Sequence, residues 1–234
     1  GGSGPVTSSD NLTFDTNSNI AGSGASYTVT ATTTAPMVAN ITFGHPSAGT
    51  LTVAGSSSFN IYGSLSVASG VVWTNSNTVA FKATSTGHTI TTNGLVFPDN
   101  FTFNGAGGGW TLVDSLTLDN NLIYSNGAFS DGGQSISMAK FDGSASNART
   151  LTKSGNWTIT GSGTGAGDFS SSTITLSDTA GWIKFTDAST TAKTLDGGSG
   201  KTFNHVWFTG AGTGDFRILG DNTFGTLTVD TPPQ

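Results

Sequence analysis

Short segments in which polar and apolar residues alternate recur along the whole chain. Ten of them share one brief pattern, read for example as NLTF, NITF and SLTL, and they begin at Asn11, Asn40, Ser64, Gly94, Ser115, Met138, Trp157, Trp182, His205 and Thr226. Successive starts lie about 19 to 30 residues apart. A period of this length is typical of solenoids and propeller-like arrays.

Further segments between these ten also alternate, such as Tyr27–Ala31 and residues 88–92. Period-2 alternation places apolar residues on one face of a strand and Thr or Ser on the other. Corners rich in Gly and Asn separate the segments, and such residues favour tight turns. Strand, corner, strand and return within about 24 residues predict an all-β fold, a parallel β-helix of about ten irregular coils. An antiparallel β-sandwich is the alternative, because it too consists of short strands with frequent turns.

Internal similarity favours the solenoid over the sandwich. Residues 140–151 read KFDGSASNARTL, and residues 184–195 read KFTDASTTAKTL, a near-copy 44 positions later. This offset is close to two of the predicted coils. A second internal similarity relates residues 101–112 to residues 206–218, because each segment is an aromatic strand followed by a glycine cluster. We therefore predict a single β-solenoid domain over residues 11–230, with a flexible or linker-like N-terminus at 1–10 and a tail at 231–234.

Composition excludes several classes of protein. Only 9% of the residues are charged, and all fourteen acidic residues are Asp, so long helices with charged exposed faces are not expected. Fifteen Phe and five Trp within patterned segments argue against disorder. The net charge of -6 and the lack of a basic cluster argue against nucleic acid as a partner. No apolar run has the length of a membrane span, and the absence of Cys excludes disulfides and thiolate metal sites.

Two sets of residues are candidates for carbohydrate chemistry. Exposed aromatic rings stack on sugars, so the candidate contacts are Trp73, Trp110, Trp182 and Trp207. The strand pattern around the tryptophans favours a place in the core or at its edge over sugar binding. Asn-X-Thr sequons for N-glycosylation begin at Asn11, Asn40, Asn100 and Asn156. An Asn corner followed by a Thr-rich strand also generates this motif by chance.

No catalytic or metal-binding set stands out. Hydrolysis of a sugar bond requires two carboxylates at a fixed separation, and the best-placed acids are Asp114, Asp119, Asp142 and Asp187. Asp is common in turns because it caps its own backbone there, so capping is the expected role. His45, His88 and His205 are spread too widely to indicate a metal site. We predict no catalytic residue, no metal and no cofactor.

The C-terminal part of the chain resembles a known type of repeat protein. Residues 193–233 contain KTFN, an aromatic strand, TGAGTG, NTF and VDTPP in this order. This cassette resembles Gly/Ser/Thr-rich parallel β-helix repeat proteins of phage tails and bacterial cell surfaces. The resemblance implies a right-handed parallel β-helix, an extracellular, cell-surface or virion location, and further strands after the TPP segment. It carries no catalytic motif, and it suggests that the chain is a fragment or a processed product.

These observations predict a non-enzymatic structural subunit of a virion fibre or an extracellular surface filament. Solenoid ends expose unpaired strand edges, which need caps or partners. We therefore expect self-association, head-to-tail or as a trimer, through the segment up to residue 20 and through residues 227–233. The alternative is a carbohydrate-binding, less readily a carbohydrate-cleaving, module of tailspike or adhesin type.

Overall fold

A computed structural model describes residues 7–15, 18, 25–32, 36–44, 49–210 and 212–230. These residues form strands and turns, and no helix occurs among them. Their strands are β1 (Leu12–Phe14), β2 (Tyr27–Ala31), β3 (Met37–Val38), β4 (Ile41–Phe43), β5 (Leu51–Gly55), β6 (Phe59–Ile61), β7 (Leu65–Val67), β8 (Val72–Trp73), β9 (Thr78–Phe81), β10 (His88–Thr91), β11 (Val96–Phe97), β12 (Asn100–Leu112), β13 (Leu116–Leu118), β14 (Leu122–Ser130), β15 (Ile136–Met138), β16 (Phe141–Asp142), β17 (Arg149–Lys153), β18 (Trp157–Ile159), β19 (Gly163–Asp168), β20 (Ile174–Asp178), β21 (Ile183–Phe185), β22 (Lys193–Phe208) and β23 (Phe216–Val229).

The strands stack in parallel into three columns, which the chain visits in the order A, B, C on every turn. Column A contains β1, β4, β7, β10, the second parts of β12 and β14, β17, β20, and the middle parts of β22 and β23. Column B contains β2, β5, β8, β11, β13, β15, β18, β21 and the ends of β22 and β23. Column C contains β3, β6, β9, the first parts of β12 and β14, β16, β19, and the starts of β22 and β23.

This arrangement is a parallel β-solenoid of about nine turns, as the sequence predicts. Every pairing among the described strands is parallel, whereas a β-sandwich of the alternative kind needs antiparallel pairs. Coil length varies, because Leu12 stacks on Ile41, 29 positions later, and Trp110 stacks on Phe129, 19 positions later. The stack runs from β1 to β23. Residues 1–6 and 231–234 lie outside the described residues, and residues 7–10 form a hydrogen-bonded turn.

The ten recurring segments do not form one column. Those in β1, β4 and β7 stack on one another in column A. Those in β11, β13, β18 and β21 and at the ends of β22 and β23 lie in column B, and residues 138–141 span the corner between β15 and β16. All three columns require the same alternation of inward apolar and outward polar residues, so the pattern identifies a strand but not its column.

The near-copy in the sequence is a corner unit rather than a pair of coils. Phe141 lies in column C, and its counterpart Phe185 lies in column B. An offset of 44 residues is therefore one side short of two coils, so the two copies lie at different corners. The second pair of similar segments, residues 101–112 and 206–218, also lies at different corners, since Phe101 is in column C and Val206 is in column B. A strand, a loop and the next strand thus form a unit that fits at more than one corner.

Aromatic rings form much of the interior. Phe103 stacks between Phe81 and Phe129, with ring centroids 4.8 and 4.4 Å away, and Phe141 stacks on Phe169 at 4.4 Å. All five side chains are buried. Burying a Phe contributes about 1.5 to 3 kcal/mol relative to leaving it exposed. This interior gives the solenoid the apolar core that a Gly- and Ser-rich sequence otherwise lacks.

Glycines shape the corners at positions that other residues cannot occupy. Gly107 has φ 81° within the glycine cluster that turns β12 from column C to column A. Gly220 has φ 88°, and a Cβ added there would overlap the carbonyl oxygen of Gly198 in the coil above. The glycine clusters therefore allow close approach of the backbone at the corners, as the sequence predicts.

Candidate functional site

In the described part of the chain, the last coil has a strand edge without a partner strand, which is called the free edge of β23. β23 is 14 residues long and pairs with β22; no other strand of the described chain pairs with it. The backbone N–H and C=O groups along such an edge are a template for another strand. This edge is the longest continuous surface of unpaired backbone that the described strands offer at either end.

Apolar side chains accompany this free backbone. Ile218, Leu227 and Val229 are 36%, 44% and 52% exposed. Their register partners in β22 are Leu195, Val206 and Phe208, which are all fully buried. The same inward positions are thus covered in the coil above and uncovered in the last coil. One further coil stacked on β23 would bury them.

The opposite end of the solenoid is described in part. β1 pairs with β4, and Phe14 stacks on Phe43 with centroids 5.4 Å apart. Leu12 and Phe14 are half-buried, and Met37 is exposed. Of the segment up to residue 20 that is predicted to make end contacts, residues 1–6, 16, 17, 19 and 20 lie outside the described residues, as do residues 231–233 at the other end.

An outer aromatic patch lies on column B beside the free edge, and it consists of Trp182, Lys184, His205, Trp207 and Thr228. Lys184 pairs with Trp207, and its Nζ lies 3.8 Å from the centroid of the Trp207 ring. The Trp207 indole N–H donates to Asp230 Oδ2 at 3.0 Å. The Trp182 and Trp207 rings meet edge to face at 6.2 Å. These side chains point outward because the apolar residues between them point into the core.

The four predicted carbohydrate contacts separate into two pairs. Trp73 and Trp110 are only 6% and 2% exposed and belong to the core. Trp73 donates its indole N–H to Asp99, and Trp110 donates to the carbonyl oxygen of Gly63 at 3.1 Å. Stacking on a sugar needs an exposed ring face, which these two buried rings lack. Trp182 and Trp207 are half-buried on the outer surface.

The sequon asparagines take part in contacts between coils. Asn40 Nδ2 donates to Asn11 Oδ1 at 2.7 Å, and Asn40 Oδ1 accepts the Ser64 N–H at 2.6 Å. Asn100 Oδ1 accepts the Asn121 N–H at 3.1 Å. Asn156 is half-buried at the start of β18. The first two asparagines therefore form a ladder at the corner before column A, and their amide groups have a structural use.

Three of the four candidate acids accept hydrogen bonds in turns and loops. Asp114 accepts from Thr92 and from the Asn93 N–H at 2.6 Å, which supports a turn where Asn93 has φ 49°. Asp142 and Asp187 cap their own loops by accepting from Ser144 and Ser189, and Asp119 is exposed. Capping is the role that the sequence predicts for them.

The three histidines are also dispersed. His45 lies outside the described residues, His88 contacts Ser85 Oγ at 3.2 Å, and His205 belongs to the outer aromatic patch. In the part of the chain that the structure describes, no three His or Asp side chains gather as metal ligands.

Sequence reasoning missed the charged groups inside the solenoid. Four of the eight basic residues are buried, namely Arg149, Lys153, Lys193 and Lys201. Asp99 and Asp131 are fully buried as well, and burial raises the pKa of Asp99. A signal was present, because Arg149 and Lys153 share the inward parity of Leu151 in the segment RTLTK.

Asp131 holds two coils together at the corner between columns A and B. Its Oδ2 accepts the Gly155 N–H and the Trp157 indole N–H, both at 2.9 Å. Its Oδ1 accepts the Ser154 hydroxyl at 3.1 Å and the Gly133 N–H at 2.9 Å. One carboxylate thus satisfies several donors of the following coil.

Comparison with known proteins identifies no relative, so the functional argument rests on the geometry of this structure. A scan against protein-family models gave no match, and searches of curated proteins and of solved structures found no significant similarity to this chain. The described residues contain no helix of the length and hydropathy that a membrane span requires. The free edge of β23 and the outer aromatic patch are the two surfaces that carry a functional argument.

Proposed function

We propose that this chain is a non-enzymatic structural subunit of a virion fibre or an extracellular surface filament, and that it assembles through the free edge of β23. The observation that carries the proposal is the uncovered row of inward-facing apolar residues on the last coil. The resemblance of residues 193–233 to repeat proteins of phage tails and bacterial surfaces supports the same function.

A second copy, docked head-to-tail by its first coil, is the partner that fits this edge. Phe224 stacks on Phe203 in column A at one end, and Phe14 stacks on Phe43 in column A at the other. Docking Phe14 of a second copy beneath Phe224 would continue the aromatic column. Added strands give backbone hydrogen bonds, and burial of each exposed Leu, Ile or Val adds roughly 1 kcal/mol.

Electron microscopy and size-exclusion chromatography over a range of protein concentrations test this proposal. The wild type is expected to form filaments or higher oligomers as concentration rises. The double variant Leu227→Lys/Val229→Lys is expected to remain monomeric, because it places two charges where the next coil must pack. Its thermal stability should change little, since both side chains are already about half exposed.

The matched control adds the same charges to the other face of the same strand. Thr226→Lys/Thr228→Lys is expected to assemble as the wild type does, because these threonines alternate with Leu227 and Val229 and point outward. A wild type that stays monomeric at every concentration contradicts the proposal, and so does assembly that survives the Leu227→Lys/Val229→Lys change.

Glycan binding at the outer aromatic patch is the second candidate function. The observation favouring it is that the half-buried rings of Trp182 and Trp207 lie together on the outer surface beside Lys184. Screening on a glycan array, followed by titration of any ligand found, tests it. Trp207→Ala should weaken binding about tenfold or more, equivalent to about 1.4 kcal/mol, while Thr158→Ala in the same column should not. An array without a ligand contradicts this candidate.

A further inference from the structure

One of the four buried cations differs from the other three. The Arg149 guanidinium donates to backbone carbonyl oxygens, Lys201 Nζ donates to that of Ile174 at 2.9 Å, and Lys193 Nζ lies 3.8 Å from a partly exposed Asp187. Lys153 Nζ instead lies 3.0 Å from Asp178 Oδ1, and both of these side chains are 0% exposed. Lys153 is therefore the buried cation that directly contacts a fully buried carboxylate.

The surrounding groups hold this amine against this carboxyl. Lys153 and Asp178 are register partners at the ends of β17 and β20, in adjacent coils of column A. Lys153 Nζ also donates to the carbonyl oxygen of Ala180 at 2.7 Å. The Asn204 N–H donates to the other carboxylate oxygen, Asp178 Oδ2, at 3.0 Å. Both reacting groups are thus fixed in contact, which is the main requirement for a reaction between them.

We propose that Lys153 and Asp178 condense into an isopeptide bond that links the two coils covalently. The ammonium first passes a proton to Asp178 Oδ1, which leaves a neutral amine and a carboxylic acid. Nζ then attacks Cγ, the Cγ–Oδ1 bond breaks, and the second amine proton leaves with Oδ1 as water. The products are one neutral amide and one water molecule, so the reaction needs no oxidant, reductant or cofactor.

The site favours the neutral reactants and the intermediate. Burial lowers the pKa of Lys153 and raises the pKa of Asp178, so both groups shift towards the uncharged forms that condense. In the tetrahedral intermediate, negative charge develops on Oδ2, the oxygen that already accepts the Asn204 N–H. Formation of the amide also removes a buried ion pair, whose desolvation is costly.

Intact-mass spectrometry of the folded wild type is the first test. We expect a mass lower than that of the sequence by one water molecule. After unfolding and digestion with trypsin, cleavage after Lys153 should fail, so residues 150–184 should appear as a single peptide that is one water lighter. A protein with the full sequence mass and normal cleavage after Lys153 overturns the proposal.

Substitutions identify the bond. Lys153→Arg should restore the full mass, whereas Lys193→Arg, at the buried lysine with the more distant carboxylate, should keep the loss of water. Asp178→Asn should lose ammonia instead of water and reach the same final mass as the wild type, because both reactions give the same amide. Dehydration at the Asp-Gly pairs 131–132, 142–143 and 196–197 would also remove water, but it would persist in Lys153→Arg and would then contradict the proposal.

Discussion

The substitution Asp131→Ala is expected to lower the free energy of unfolding by about 3 to 5 kcal/mol. The Asp131 carboxylate is fully buried and accepts from Gly133, Ser154, Gly155 and Trp157. Its removal leaves buried N–H groups without an acceptor, and each such group costs about 1 to 3 kcal/mol. Three of these donor residues belong to the following coil, so the coils should also separate more easily at this corner.

Urea unfolding followed by tryptophan fluorescence measures this effect. Asp131→Asn retains one carbonyl oxygen and should lose roughly half as much stability as Asp131→Ala. Asp119→Ala is the control, because Asp119 is exposed, and it should stay within about 0.5 kcal/mol of the wild type. A loss below about 1 kcal/mol for Asp131→Ala would show that the corner does not depend on this carboxylate.

Phe103→Ala is expected to cost about 3 to 5 kcal/mol, because it opens a cavity in the middle of the aromatic core. The Phe103 ring lies 4.8 Å from Phe81, 5.5 Å from Trp110 and 4.4 Å from Phe129, measured between centroids. These partners belong to three successive coils. Since each coil contacts only its neighbours, the loss should be concentrated there.

Hydrogen exchange combined with urea unfolding distinguishes a local loss from a general one. In Phe103→Ala, amide protection should fall most in β9, β12 and β14 and least in β21 to β23. Thr102→Ala, which truncates the adjacent side chain of the opposite parity, should lie within about 0.5 kcal/mol of the wild type. Equal destabilisation by the two variants would mean that the aromatic stack is not the main stabilising element of these coils.

The sequence is sufficient to predict the class of fold but not the position of each strand. A period near 24 residues with alternating polarity predicts parallel coils, and the described strands confirm it. The column of each strand was not predictable, because the three columns place the same demand on a strand. The near-copies at residues 140–151 and 184–195 lie at different corners for the same reason.

The functional surfaces were predictable to different degrees. The outward direction of Trp207 follows from its place between the inward-facing Val206 and Phe208, and that parity is legible in the sequence. The burial of Trp73 and Trp110 is harder to predict from the sequence, because both residues lie next to corners where the alternation of polar and apolar residues breaks. The sequence predicts end contacts at residues 227–233, which include Leu227 and Val229. It does not show that these two side chains are uncovered, because they read like the inward residues of any other coil.

The corner units have a consequence for how such a chain can arise by gene duplication. Because one strand, its loop and the next strand fit at corners of different columns, a duplicated segment need not contain a whole number of turns to be accommodated. The two internal copies, each displaced by one side relative to its source, are what such duplications would leave behind. Natural or designed recombination within this protein can therefore lengthen the solenoid by one strand and its loop at a time. The possible lengths of the solenoid are then more closely spaced than if only whole coils could be added.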